Sequence, residues 1–532
     1  MTQLPGLRRR KFIGFLLVLT VAVLLRCAHV DNKVFWGDEV YSSLRVFGHT
    51  TAQMHRQIAM GQSVAAPELQ QFQQRSPDKN IDAVVNALIA EDSHLPPLYF
   101  LLLRVWADWF GASAIAIRSL SVLFSLITLP VIYWLAIELF GRTQIAMLAV
   151  VLSAVSPMQL LFAQEGRFYS FWTLTTTLAA ATLLRALRLG RWHNWGQFAL
   201  AASALLYSHL LGMVTLAGYG LYVLIMTWRR NWHALQRFIL AMTVAALSFA
   251  PWFWIFLTSA KDEPTEFKDA LPSVTAAIKN LFFVISRSFA DFNLDATALP
   301  WQSIAVSLCS WSIVALLGFA IYRLMWQSKL RSWLFIVLLL CVTLLPVLPL
   351  SLKSALPPRY LVPSYVALPL ILAAALGTPG MLRRWVKIGL VGFLVTVGLF
   401  SCATIVNAET WWNKEYSNCN LPIAAQLRQS SRPLVVSDGD GRGTFDHALS
   451  NVVSLARLAP PETQFQVFLE TQLPDRIELA EGMSDRFLVT PSAALLTQLQ
   501  KQYPGQVKPL IAGAEGYRNP SNYCLWRLPA DE

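Results

Sequence analysis

Run after run of apolar residues, each close to the length needed to cross a bilayer, divides this chain, and in lipid only helices or closed barrels satisfy their own backbone. The runs lie at 12–25, 117–140, 143–163, 168–188, 195–209, 211–228, 237–258, 302–325, 332–351, 360–378 and 385–406, which predicts about eleven membrane-spanning helices. The composition agrees: 55% of the residues are apolar and 14% charged, where a soluble protein has about 45–50% and about 25%. The composition argues against a soluble globule. The first run follows Arg8, Arg9, Arg10 and Lys11, the layout of a secretory signal. No small-x-small cleavage site follows it, and Arg26 stands where a lipoprotein signal needs a small residue before Cys27. It reads as an uncleaved first span.

Charge placement orients the chain. Residues 1–406 hold 32 Lys and Arg against 17 Asp and Glu, leaving 11 and 14 for 407–532, so two parts of different character are expected. The formal charge of +12 therefore reports topology, not a nucleic-acid partner. Segment 95–110 is the difficult one: it is apolar but short, starts at Pro96 and Pro97, and carries Arg104 and Asp108. If it does not cross, the segments 1–11, 141–144, 185–194, 229–237, 323–331 and 379–387 share one side and hold 17 basic and no acidic residues. The loops 31–94 and 259–301, on the other side, hold 9 basic and 14 acidic residues. The positive-inside rule then holds throughout, with the N-terminus cytoplasmic. Segment 95–110 is accordingly expected to be an interfacial or re-entrant amphipathic helix.

Residues 407–532 read as one exported α/β domain, with strands near 433–437, 465–469, 486–490, 507–511 and 523–528 and helices at 445–458 and 493–502. The GDGRG run at 439–443 sits where a phosphate loop would lie, but it lacks a nucleotide fingerprint and reads as a turn before a helix. Cys27, Cys309, Cys341 and Cys402 fall in expected spans. Cys419 and Cys524 fall in the exported part, where a disulfide is permitted and is expected between them.

Chemistry is expected where ionisable residues collect at the exported face. The first such place is WGDEVYS, 36–42, just beyond the first span. Asp38 and Glu39 there suit a general base with a second acid to orient it or to hold a divalent cation. A lone Asp-Glu pair reads first as a solvated helix start, so its surroundings decide.

This pair, the long loop after it, SHLPPLYFLLLRVWADWFG at 93–111 and RSLSVLFSLITLPVIYWLAIELFG at 118–141 together resemble the GT-C fold glycosyltransferases that use polyprenyl- or dolichyl-phosphate sugars. These include the family 39 protein O-mannosyltransferases and the aminoarabinose transferases. The resemblance covers roughly residues 8–406 and is most specific in the first 220. It implies that Asp38 is the catalytic base with Glu39 beside it, and that the first outer loop, 31–116, carries interfacial helices. The family's His/Lys-Pro-Pro-Leu-Tyr element is matched by His94, Pro96, Pro97, Leu98 and Tyr99, with Leu95 inserted after the His. Pro97 is thus a firmer match than His94.

Three further places face the same side. In AQEGRFYS, 163–170, Glu165, Arg167 and Tyr169 match an acid, an Arg and a Tyr found in many relatives. The Glu suits a cation or an acceptor hydroxyl, and the Arg suits a phosphate; an interfacial salt bridge is the plainer reading. His209, in SHLLG, is either structural or part of the same cavity wall. In LKSALPPRYLVP, 352–363, Lys353, Arg359 and Tyr360 match an Arg-Tyr before Pro, suited to a lipid phosphate or to an interface anchor.

The expected architecture is an α-helical multi-pass membrane protein of GT-C type (1–406) followed by the α/β domain (407–532). The resemblance implies a glycosyltransferase of the plasma membrane that moves a sugar, with inversion, from a polyprenyl-phosphate donor to a lipid, glycan or protein acceptor on the exported face. No nucleotide or redox cofactor is expected, because the inner loops carry no phosphate-binding or dinucleotide pattern. A divalent cation on Glu39 or Glu165 is an optional aid. A transporter or lipid flippase would instead place ionisable residues at mid-membrane depth and show repeated halves, and a non-catalytic relative would tolerate loss of Asp38.

Overall fold

A computed structural model describes residues 5–58, 61–259, 274–292, 300–351, 358–379, 382–411, 418–438, 445–468, 473–513 and 523–530. Its elements begin with α1 (Pro5–Cys27), α2 (Gly37–Val46), α3 (Thr51–Ile58), β1 (Ser63–Ala65), α4 (Ala66–Gln70), α5 (Ile81–Glu91) and α6 (Leu98–Phe110). The helical bundle continues through α7 (Ala114–Phe140), α8 (Thr143–Ala154), α9 (Pro157–Ala163), α10 (Tyr169–Leu189), α11 (Trp192–Leu206), α12 (Gly212–Thr227) and α13 (Trp232–Ser259). It is completed by α14 (Val274–Ser286), α15 (Pro300–Gln327), α16 (Leu330–Ser351), α17 (Val362–Gly377) and α18 (Arg384–Asn407). Then come α19 (Asn420–Leu427), β2 (Pro433–Ser437), α20 (Phe445–Ala456), β3 (Gln464–Val467), β4 (Asp485–Val489), α21 (Ala493–Gln502), β5 (Lys508–Ala512) and β6 (Tyr523–Arg527).

Among the described residues, five helices are long and apolar enough to cross a membrane: Ala114–Phe140, Trp232–Ser259, Trp301–Gln327, Pro358–Gly377 and Arg384–Asn407. The pair α8 and α9 forms a sixth if counted as one span bent by 61°. Shorter apolar helices lie at Phe12–Cys27, Gly212–Thr227 and Leu330–Leu345. The chain is a multi-pass membrane protein. Helix ends follow local chemistry: α7 starts with the Ser113 hydroxyl accepting from the Ala116 N–H and ends at Gly141, whose φ of 63° favours glycine.

The bend between α8 and α9 exposes carbonyls inside the bundle, where an unpaired carbonyl is costly. Arg26 of α1, fully buried, donates to Ala154 O, to Ser153 O at 3.1 Å and to Ser125 Oγ at 3.0 Å. Cys402 Sγ reaches Val155 O at 3.4 Å, and Ser156 Oγ donates to Ser288 O at 2.7 Å. A methyl group on Gly398 would meet Val155 O at 2.5 Å, so α18 approaches the bend as only glycine allows.

Helix α6 has 13 residues, a rise of about 20 Å, short of the roughly 30 Å hydrocarbon core. It buries Tyr99, Phe100, Leu103 and Ala107 and exposes Val105, Trp109 and Phe110.

After α18 the chain builds a six-stranded mixed sheet in the order β1-β3-β2-β4-β6-β5. Strand β2 runs parallel to β3 and β4, while β1–β3, β4–β6 and β5–β6 are antiparallel. Its edge strand β1 comes from the segment between α1 and α7, which the sequence did not announce: Ser63, Val64 and Ala65 are too short a run to show alternation. Cys419 and Cys524 form a disulfide that ties the start of α19 to β6. The buried Asp438 accepts from the Ser492 N–H at 2.9 Å and from its hydroxyl, holding the start of α21. The GDGRG run, 439–443, lies outside the described residues.

Candidate active site

The N-terminal turn of α2 presents Asp38 and Glu39 one residue apart, hence about 100° apart around the helix. They reach different surroundings. The Glu39 carboxylate is fully buried. Arg118 of α7 grips it with Nε to Oε1 and Nη2 to Oε2, both at 2.8 Å, and the backbone N–H groups of Gly166 and Trp36 donate to it at 2.8 and 3.2 Å. Arg118 also donates to the carbonyls of Val30, Lys33 and Val34, so one guanidinium organises the whole entry into α2. Gly166 is required by this closeness: a methyl group there would lie 2.7 Å from Ile117 Cγ2 and 3.3 Å from Glu39 Oε1.

The Asp38 side chain is 26% exposed and lies between two arginines. Its Oδ2 is 3.5 Å from Arg167 Nη2 and 3.6 Å from Arg359 Nη1. Both separations exceed the roughly 2.7–2.9 Å of a direct charge-assisted hydrogen bond. Arg167 Nη1 donates to Ser42 Oγ at 2.7 Å and to Asp38 O at 3.3 Å, and its guanidinium lies over the rings of Phe168 and Tyr169. Burial works against the Arg167 cation, but Asp38, Tyr169 and Glu165 outweigh it and hold it above its ordinary value. Arg359 lies over the Tyr360 ring.

The remaining expected site residues sort themselves around this centre. Glu165, buried, accepts from Trp36 Nε1 at 3.2 Å. Tyr99 is buried beneath the loop: its hydroxyl meets Ser121 Oγ at 3.3 Å, and Ser121 donates to Arg167 O at 3.1 Å. Tyr169 packs on Phe162 and Phe168. Pro97 caps α6 and starts the helix that delivers Tyr99. His209 stacks flat on Trp172 at 4.0 Å, and its Nδ1 accepts from the Leu211 N–H at 3.0 Å, which leaves the proton on Nε2. Burial first, then His94, Arg167 and Arg359, push His209 down to about 3, so it is neutral at physiological pH. Lys353 lies outside the described residues.

Arg118, Lys33 and Trp411 were not anticipated. Lys33 Nζ donates to Gln164 Oε1 at 2.9 Å, and Trp411 Nε1 donates to Val34 O at 2.7 Å. The available signal was Arg118 itself, an ionisable residue inside an apolar run. Among the described residues no three His, Cys, Asp or Glu side chains converge as a metal-ligand set.

Residues 94–255 match the family model of dolichyl-phosphate-mannose-protein mannosyltransferases. The fold matches the crystal structure of ArnT from Cupriavidus metallidurans in the apo state, with a TM-score of 0.55 and 14% identity, covering 98% of this chain and 98% of that one. It also matches ArnT from the same organism bound to undecaprenyl phosphate, with a TM-score of 0.52 and 14% identity, covering 99% and 98%. At such identity the likeness is one of fold. No curated protein sequence matches the chain. The resemblance read from the sequence, to GT-C glycosyltransferases, is borne out by the family match together with the fold.

Proposed function

We propose that this chain is an integral membrane glycosyltransferase that moves a sugar from a polyprenyl-phosphate donor to a hydroxyl or amine acceptor on the exported face. The observation that carries this reading is Asp38 set between Arg167 and Arg359. This sets a base beside two guanidinium groups, and departure of a lipid phosphate needs both a base and cations. The match to an ArnT structure that holds undecaprenyl phosphate supports the ligand class.

In this reading Asp38 accepts the acceptor's proton as the oxygen or nitrogen attacks the anomeric carbon. The bond to the phosphate oxygen breaks, and Arg167 and Arg359 take up the developing phosphate charge. A single displacement inverts the configuration. Tyr99 acts through Ser121 on the Arg167 loop, and Glu165 acts through Trp36. Neutral His209 offers Nε2–H as a donor to the substrate, and Tyr169 and Tyr360 lie under the guanidinium groups of Arg167 and Arg359; His94 is assigned to substrate binding from the sequence resemblance alone. Glu39 is engaged by Arg118 and two backbone N–H groups, a donor set suited to holding α2 and not to a divalent cation. The charge stabilisation is therefore assigned to the arginines.

Arg359→Lys tests the phosphate contact. It keeps the charge but cannot form two parallel bonds, so the donor KM should rise about tenfold, the equivalent of one charged hydrogen bond of about 1.5 kcal/mol. An unchanged dependence on donor concentration would make Arg359 an interface anchor.

We assign eleven spans, a cytoplasmic N-terminus and an exported C-terminal unit, 407–532, from the charge of the loops. A membrane-impermeant maleimide added from outside should label Glu68→Cys and leave Thr143→Cys at the parent's background. The reverse pattern would overturn the assignment.

A further inference from the structure

Two faces of α2 are held from different parts of the chain. Asp38 and Ser42, four residues apart, share the face that meets Arg167. Glu39 and Ser43 share the next face, where Arg118 takes Glu39 and Gln73 Nε2 donates to Ser43 Oγ at 2.8 Å. Gln73 Oε1 accepts in turn from Arg457 Nε at 2.7 Å. Arg457 follows directly after α20, in the part of the chain beyond the bundle, and its guanidinium lies 4.0 Å over the Phe35 ring, which Arg118 also approaches at 5.6 Å.

Other contacts join the same two parts. Gln70 Nε2 donates to Ala456 O at 2.7 Å, and a methyl group on Gly37 would lie 2.9 Å from Ser450 Oγ, so α20 sits against the residue that precedes Asp38. Within the C-terminal part, Asn420 Nδ2 donates to Ser454 Oγ at 2.9 Å, tying α20 to the helix that begins at the disulfide. Burial draws the Arg457 cation down to about 10, with Glu39 opposing, so it remains charged at neutral pH. A part-buried cation held on a ring and a side-chain amide is a costly way merely to fill space.

We propose that Arg457 is a positioning residue for Asp38, fixing the rotation of α2 through Gln73 and Ser43 and through Phe35, so that the C-terminal unit is a working part of the transfer site. The inference rests on Asp38 being the base. Arg457 touches no reacting atom. Its effect is geometric: a displacement of about 1 Å of a reacting group can cost about 10²-fold in rate.

The test uses the full chain in liposomes with a polyprenyl-phosphate sugar and an acceptor. Arg457→Met and Gln73→Leu should each lower kcat per folded molecule about 10- to 100-fold, with the donor KM and the unfolding temperature close to the parent's. The double variant should be no worse than the poorer single one, because both act along one path. Arg457→Lys, which keeps a cation over Phe35, should recover part of the loss. Ser43→Ala removes the last link, together with the Ser43 Oγ bond to Val40 O within α2, and should lower kcat several-fold even if the larger changes prevent folding. Unchanged kcat per folded molecule in Ser43→Ala and in whichever larger variants fold would overturn the proposal. Asp38→Asn, run alongside, separates the two ideas: if it retains turnover, the base assignment has failed and not merely the link from Arg457.

Discussion

Asp38→Asn should reduce sugar transfer by about 10²- to 10⁴-fold, the usual value of a positioned general base, while donor binding stays equal to the parent's or tightens. The substitution preserves volume and the first turn of α2, and Glu39 remains gripped by Arg118. It removes only the carboxylate charge that lies 3.5 and 3.6 Å from Arg167 and Arg359. Those cations then face a phosphate with less competition, so catalysis and binding should move apart. That split separates the loss of a base from a misfolded site. Turnover within about threefold of the parent, well short of the effect of losing a base, would make Glu165 the next candidate.

Arg118→Met should be the most destabilising single change in the bundle. It leaves the fully buried Glu39 carboxylate without its cation, and breaking a buried pair typically costs about 3–5 kcal/mol. The carbonyls of Val30 and Lys33 lose this donor as well, while Val34 O keeps Trp411 Nε1. Thermal unfolding in detergent, followed by tryptophan fluorescence, should show a large drop for Arg118→Met and partial recovery when Glu39→Gln is added. Equal unfolding temperatures for Arg118→Met and the parent would show that the pair does not hold α2.

Asp38 was legible in the sequence because an acidic pair just after a span is out of keeping with its surroundings. Glu39 was legible as a neighbour but not in its orientation, since adjacency in sequence becomes divergence on a helix. Arg118 stood in an apolar run yet went unread, and Arg26, just past the first run, was read only against a cleavage signal, because hydropathy averages a single charge away. Their partners, the carbonyls of Ser153 and Ala154 and the Glu39 carboxylate, are fixed only by tertiary packing. The likeness in fold was carried by the acidic pair after the first span, the long loop behind it and the motifs at 93–111 and 118–141, which lie in sequence order. The strand at Ser63–Ala65 was invisible for the opposite reason, since its partner Gln464–Val467 lies about four hundred residues away and no local pattern marks it.

The claim that two arginines and Asp38 form the transfer site is tested most directly by a density map of the protein with undecaprenyl phosphate. The phosphate should lie within hydrogen-bond reach, about 3 Å, of both Arg167 and Arg359, with Asp38 open toward the position of the sugar. A phosphate bound away from both arginines, with Asp38 still paired to them, would contradict it.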